Sequence, residues 1–135
     1  MAGAILMAHK IDPKDEILAE IAPFIKSINN IMSARVLVAV YKRPERTAGG
    51  VLLSDKTRDE DGYQGKVGLV VGMGPLAFKD DPERGLSWGD ERPQIGDWVM
   101  CSVGDTRKFK LGERDMRFVE DVNIHAVVSK PDVIW

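Results

Sequence analysis

From Arg35 onward the chain is a succession of short apolar runs cut apart by glycine and proline, and few folds other than a small sheet tolerate that pattern. Val36, Val38 and Val40 alternate with Leu37, Ala39 and Tyr41. Both faces of this first run are therefore apolar, which suits a strand covered on each side. Lys66–Val71, Trp98–Val103, Phe109–Leu111, Met116–Val119 and Ile124–Val128 are the other strand candidates. Gly49-Gly50, Gly72-Met73-Gly74-Pro75, Pro93, Gly96 and Gly104 separate them. Many short strands with glycine-rich turns and no intervening helical pattern predict an all-β domain, a small barrel or sandwich.

The residues before Arg35 read differently. Asp12 can cap a helix, Pro13 suits the first helical position, and Asp15 and Glu16 favour the positive end of the helix dipole. Ile17, Leu18, Ile21, Phe24, Ile25, Ile28 and Ile31 then recur at three-four spacing and form one apolar stripe. Pro23 falls inside the stripe and is expected to kink or divide the helix. Two readings stand. The helix packs on its own domain, or it is an arm that docks on a neighbour through Ile17, Ile21, Phe24 and Ile28. The resulting division is an N-terminal helical arm over 1–33, a β-barrel over 34–128 and a C-terminal tail over 129–135.

A length of 135 residues fits one domain. The 19 basic residues against 21 acidic ones give a net charge of -2, which argues against nucleic acid as the general partner. One cysteine, Cys101, excludes an intrachain disulfide and a cysteine-rich zinc site. Gly68–Phe78, the longest nearly unbroken apolar stretch, is far short of the roughly 20 residues of a membrane helix. Met1–Ala8 is apolar but has no basic residue before it, a poor signal peptide, so a soluble intracellular protein is expected.

Several stretches imitate catalytic motifs. Gly85-Leu86-Ser87-Trp88-Gly89 has the spacing of a serine-hydrolase elbow, which needs a strand before it and a helix after it; here both flanks are polar loop. Val70-Val71-Gly72-Met73-Gly74-Pro75 imitates a dinucleotide fingerprint but lacks the helix that would receive a pyrophosphate. His9 and His125 have no companion at metal-ligand spacing. Cys101 reads as a small buried apolar group, and Glu120-Asp121 as solvated acids in a polar turn. No catalytic residue, metal or cofactor is assigned.

Two long polar segments interrupt the strands, 42–64 and 79–94, and loops of such length in a compact domain usually carry function. In the first, Val51-Leu52-Leu53 stands between charged arms and directly follows Gly49-Gly50. An apolar tripeptide so placed cannot build a core alone. It reads as a tethered ligand that orders in a partner's groove, the alternative being an edge strand of the barrel.

These residues resemble the GroES-type co-chaperonins, over about 70% of the chain, from Ala34 to Val128. The resemblance is carried in order by Arg35-Val36-Leu37-Val38, Thr47-Ala48-Gly49-Gly50-Val51-Leu52-Leu53, Gln64-Gly65-Lys66-Val67 leading to Val70-Val71-Gly72-Met73-Gly74, Ile95-Gly96-Asp97-Trp98-Val99, and Asp121 to Val128. It implies a small irregular GroES-like β-barrel in a homo-oligomeric ring, non-enzymatic and without cofactor. Neighbouring subunits would meet through the first and last strands, at Val36, Val38, Ile124 and Val127. A mobile loop would dock Val51, Leu52 and Leu53, hinged at Gly49 and Gly50, on chaperonin apical domains to assist protein folding in the cytoplasm. Residues 79–94 would form the roof. The helical arm and the apolar tail, Val133-Ile134-Trp135, are additions that look like those of phage-encoded relatives. They leave an alternative, a capsid decoration protein of a virion clamping the major capsid protein, with no nucleic-acid or membrane partner in either reading.

Overall fold

The computed structural model describes residues 13–41, 66–90, 92–102, 104 and 106–131. One helix, α1 (Lys14–Ile25), precedes six strands: β1 (Arg35–Val40), β2 (Val67–Met73), β3 (Trp98–Cys101), β4 (Arg107–Leu111), β5 (Arg114–Glu120) and β6 (Ile124–Val128). The strands form a single antiparallel sheet in the order β4-β5-β1-β2-β3-β6. This is the all-β architecture with an N-terminal helix that the sequence predicts. The bounds of β1 and β6 coincide with the expected runs, while β4 starts two residues earlier and β3 stops at Cys101.

The alternation of β1 sorts the core into two layers. Leu37, Ala39 and Tyr41 face one side with Val67, Leu69, Trp98 and Met116. Val36 and Val38 face the other with Val70, Val99, Cys101, Val119, Ala77 and Phe78. Between Leu37 and Val38 the β1–β2 register slips by one, so Leu37 lies opposite Gly72 and Val38 opposite Val70. Val71 is the extra residue of a bulge, which turns Met73 toward the second layer.

α1 covers the first layer. Ile17 and Ile21 are buried within it, and Leu18, Ile25, Ile28 and Ile31 pack against it. Arg114 on β5 donates to Glu20 through Nε at 3.1 Å, with a second bond from Nη2. The ring of Phe24 lies over the β4–β5 turn at Gly112, where φ is +63° and a Cβ would stand 2.6 Å from the ring. Of the two readings of the stripe, the helix thus lies on its own sheet, with Phe24 left 43% exposed. Two local expectations change. The residue before the helix is Pro13, whose carbonyl accepts the Ile17 N–H at 2.9 Å; Asp12 lies outside the described residues. Pro23 does not divide the helix, because it stands in the last turn, where its missing N–H costs a single bond.

Truncating Ile21 to Ala removes a fully buried side chain shared by helix and sheet. It is expected to cost about 2–5 kcal/mol, read as a lowered midpoint in urea with an unchanged slope. A loss below about 0.5 kcal/mol would mean that α1 does not pack on the sheet.

Candidate partner-binding surfaces

β1 and β2 run antiparallel, so the two long segments leave the sheet at opposite ends. At one end Tyr41 donates its N–H to the Val67 carbonyl at 2.9 Å, which brings the two ends of segment 42–65 side by side. Gly49, Gly50, Val51, Leu52 and Leu53 belong to that segment and lie outside the described residues. At the other end β2 passes into the Gly74–Phe78 turn and then into residues 79–94.

The first end has an apolar side and a polar side. On the α1 face, Tyr41 and Trp98 meet edge to face with centroids 5.6 Å apart. On the opposite face Arg117, only 1% exposed, lies beside the buried Cys101. Burial pushes the Cys101 thiol above its ordinary value, more than the neighbouring guanidinium pulls it down. Burial likewise disfavours the Arg117 cation, with Cys101 and Asp115 acting against that effect. Cys101 is thus the small buried group expected, but its neighbour is a buried cation. Nothing in the spacing of Arg114 to Val119 announces that one.

The second end is held by two side chains. Phe78 is buried with φ +57°, a left-handed backbone that an aromatic residue adopts only at a cost of roughly 1–2 kcal/mol. Its N–H is accepted by the Asp121 carboxylate at 3.0 Å and its carbonyl accepts from Arg92 Nη1 at 2.8 Å. Asp121 is 2% exposed, and its own N–H reaches the Ala34 carbonyl at 3.1 Å. The expectation that Glu120-Asp121 is a solvated pair therefore holds for Glu120 alone, which meets Arg35 at 3.6 Å in the open. Asp121 is the buried clasp between the end of β5, the residue before β1 and the turn after β2.

Residues 79–94 are built on that clasp. Trp88 packs edge to face on Phe78 with centroids 5.2 Å apart, and its Nε1 donates to the Lys79 carbonyl at 2.9 Å. The Asp80 carboxylate accepts the Trp88 N–H at 2.9 Å and meets Arg92 at 3.2 Å. Asp81 caps the 3-10 turn Pro82–Arg84, which ends at Gly85 in the left-handed region and closes on an Asp81–Leu86 bridge. The Gly85–Gly89 motif is part of this loop; the 3-10 turn rather than a strand precedes it, and among the described residues no helix follows it. Gly74 serves close packing, since a Cβ there would collide with the Ser33 carbonyl oxygen.

The expected subunit contacts divide. Val36 and Val38 are fully buried in the second layer, and β1 is paired on both edges, to β2 and to β5. They are not available to a neighbour, which corrects the expectation for the first strand. β6 pairs only with β3 among the described residues, and its Val127 is 50% exposed beside His125 and Ala126, with Ile124 half-buried. His125 points outward and meets the Ser102 hydroxyl at 2.9 Å. The opposite edge strand, β4, exposes Arg107, Lys108 and Lys110, charges that discourage strand addition. Among the described residues no group of acids, histidines and cysteine could hold a metal ion, and no helix is long and apolar enough to cross a membrane.

Asp121→Ala is expected to destabilise the fold by about 1–3 kcal/mol, because it strands the buried Phe78 N–H. Asp121→Asn, which keeps an acceptor, is expected to cost less; equal losses would remove the hydrogen bond from the explanation. The raised thiol value of Cys101 predicts a pH effect. The folded state holds that proton more tightly, so its stabilisation is complete below the unfolded thiol value of about 8.5. It is lost as the pH rises through the folded value. Urea midpoints should fall more steeply above that pH for the native chain than for Cys101→Ala, and parallel curves would contradict the assignment.

A comparison with protein-family models matches residues 29–128 to the chaperonin 10 Kd subunit.

Proposed function

This chain belongs to the chaperonin 10 Kd subunit family, and from that premise we propose that it lids a chaperonin by docking Val51, Leu52 and Leu53 on its apical domains. Members of the family perform no catalysis themselves and work as oligomers with a chaperonin. In this reading Gly49 and Gly50 hinge the docking segment, ATP turnover belongs to the chaperonin, and the complex assembles in the cytoplasm. Neighbouring subunits meet at the outer edge of β6, where Val127 offers its apolar side chain, rather than at β1. Residues 79–94 form the roof.

The family match over residues 29–128 carries the reading, because it spans all six strands and the whole of segment 42–65. The adjacency of Tyr41 and Val67 supports it: both arms of that segment start from one place on the sheet, as a docking loop requires. The sequence of the segment supplies the ligand, three aliphatic residues after a glycine pair.

Gel filtration with a bacterial chaperonin and ATP tests this directly. The unmodified chain is expected to co-elute with the chaperonin, and a variant carrying Ser at positions 51, 52 and 53 is expected to stay folded and elute alone. Each buried aliphatic side chain contributes roughly 1.5–3 kcal/mol, and a ring of such loops multiplies the loss through effective concentration. Undiminished binding by the triple variant would overturn the anchor assignment. Failure of the unmodified chain to bind, with its recovery from purified virions, would replace the lid by the capsid role.

A further inference from the structure

The strand registers fix the level at which α1 is fastened to the sheet. Phe109, Met116, Ala39, Leu69 and Trp98 stand each opposite the next, one row across the layer that Ile17 and Ile21 enter. Tyr41 lies two residues beyond Ala39, and Val67 two residues before Leu69 on the antiparallel β2, so both stand in the next row. Arg114, two residues before Met116 on the antiparallel β5, reaches that row as well, and Gly112 follows its partner Leu111 in the turn. These are the residues that hold α1 from outside the core: Arg114 donates to Glu20 at 3.1 Å, and the Phe24 ring covers Gly112. Both fastenings therefore fall level with Tyr41 and Val67, at the end of the sheet where segment 42–65 is rooted.

The roots themselves are packed rather than free. Tyr41 is 3% exposed and Val67 2%, and both share one core cluster with Ile17, Ile21 and Trp98. Lys66, beside Val67, is tied to β3 through its carbonyl, which accepts the Cys101 N–H at 2.8 Å. A tether with fixed roots presents its ligand in fewer orientations, which lowers the entropy lost on docking and raises the effective concentration for each further loop of an oligomer. We propose that α1 is a positioning element for chaperonin docking: held by Glu20 and Phe24, it presses Ile17 and Ile21 into the layer of Tyr41, Val67 and Trp98 and so fixes the two roots of segment 42–65. This role rests on the proposed docking of that segment, and adds to it residues that lie outside the segment and touch no partner.

The test measures affinity for a bacterial chaperonin with ATP, using full-length variants whose fold is intact by circular dichroism. Glu20→Arg sets like charges against each other at Arg114 and should weaken binding at least about tenfold, and adding Arg114→Glu should restore it. Val119→Ala truncates the other core layer at the far end of the sheet, where Val119 opposes Val36. It should leave affinity within about twofold of the unmodified chain. In the free protein, Glu20→Arg should also speed exchange of the Tyr41 amide about tenfold relative to that of Val38. Unchanged binding and unchanged Tyr41 exchange in Glu20→Arg would overturn the positioning role while the docking reading stands. Equal losses of binding in Glu20→Arg and Val119→Ala would overturn it too, since the effect would then be one of general stability. No binding by the unmodified chain would instead overturn the docking reading, and the positioning role with it.

Discussion

β1 hydrogen-bonds to β2 along one edge and to β5 along the other, while its side chains alternate between two buried layers. Five of its six residues are buried. Each layer needs a cover, and the covers come from different parts of the chain: α1 on the side of Leu37 and Ala39, and the Gly74–Phe78 turn with Trp88 on the side of Val36 and Val38. Without β1 the hairpin β4–β5 would lose its link to β2, β3 and β6. The sheet is thus organised from its middle, and the two long segments are attached at its ends.

The same strand separates the two long segments. Because β1 enters beside Gly74 and leaves beside Val67, residues 79–94 and the two anchors of segment 42–65, Tyr41 and Val67, lie at opposite ends of the sheet. The first is fastened by Asp121 and Arg92, which hold the two backbone polar groups of Phe78, and by Asp80, which holds Trp88 and Arg92 together. In the proposed lid, residues 79–94 keep their shape while docking takes place at the far end of the sheet.

Much of this was legible in the residues. The apolar character of both faces of Arg35–Val40, the short run Ile124–Val128 and the stripe from Ile17 to Ile31 point to the strands and the helix. The match to the chaperonin 10 Kd subunit family covers residues 29–128, the stretch that contains the motifs read from the sequence. What escaped was non-local. Strand order cannot be read from periodicity, and the subunit contact at Val36 and Val38 rests on the resemblance alone, whereas both edges of β1 are filled. A stripe shows that a helix is amphipathic but not which surface receives it. Asp121 finds its partner 43 positions away, and beside Glu120 it looked like one more solvated acid. Trp88 was the one visible sign that residues 79–94 fold, because a large aromatic side chain in a polar loop needs a surface to lie on.

Hydrogen exchange on the assembled complex most directly tests the proposal that residues 49–53 dock while the sheet and residues 79–94 keep their structure. On addition of a chaperonin with ATP, amides of residues 49–53 are expected to gain protection, while those of β1 and β5 exchange as slowly as before and those of residues 79–94 do not change. Protection that appears instead in residues 79–94 or along β4, with 49–53 unaltered, would contradict it.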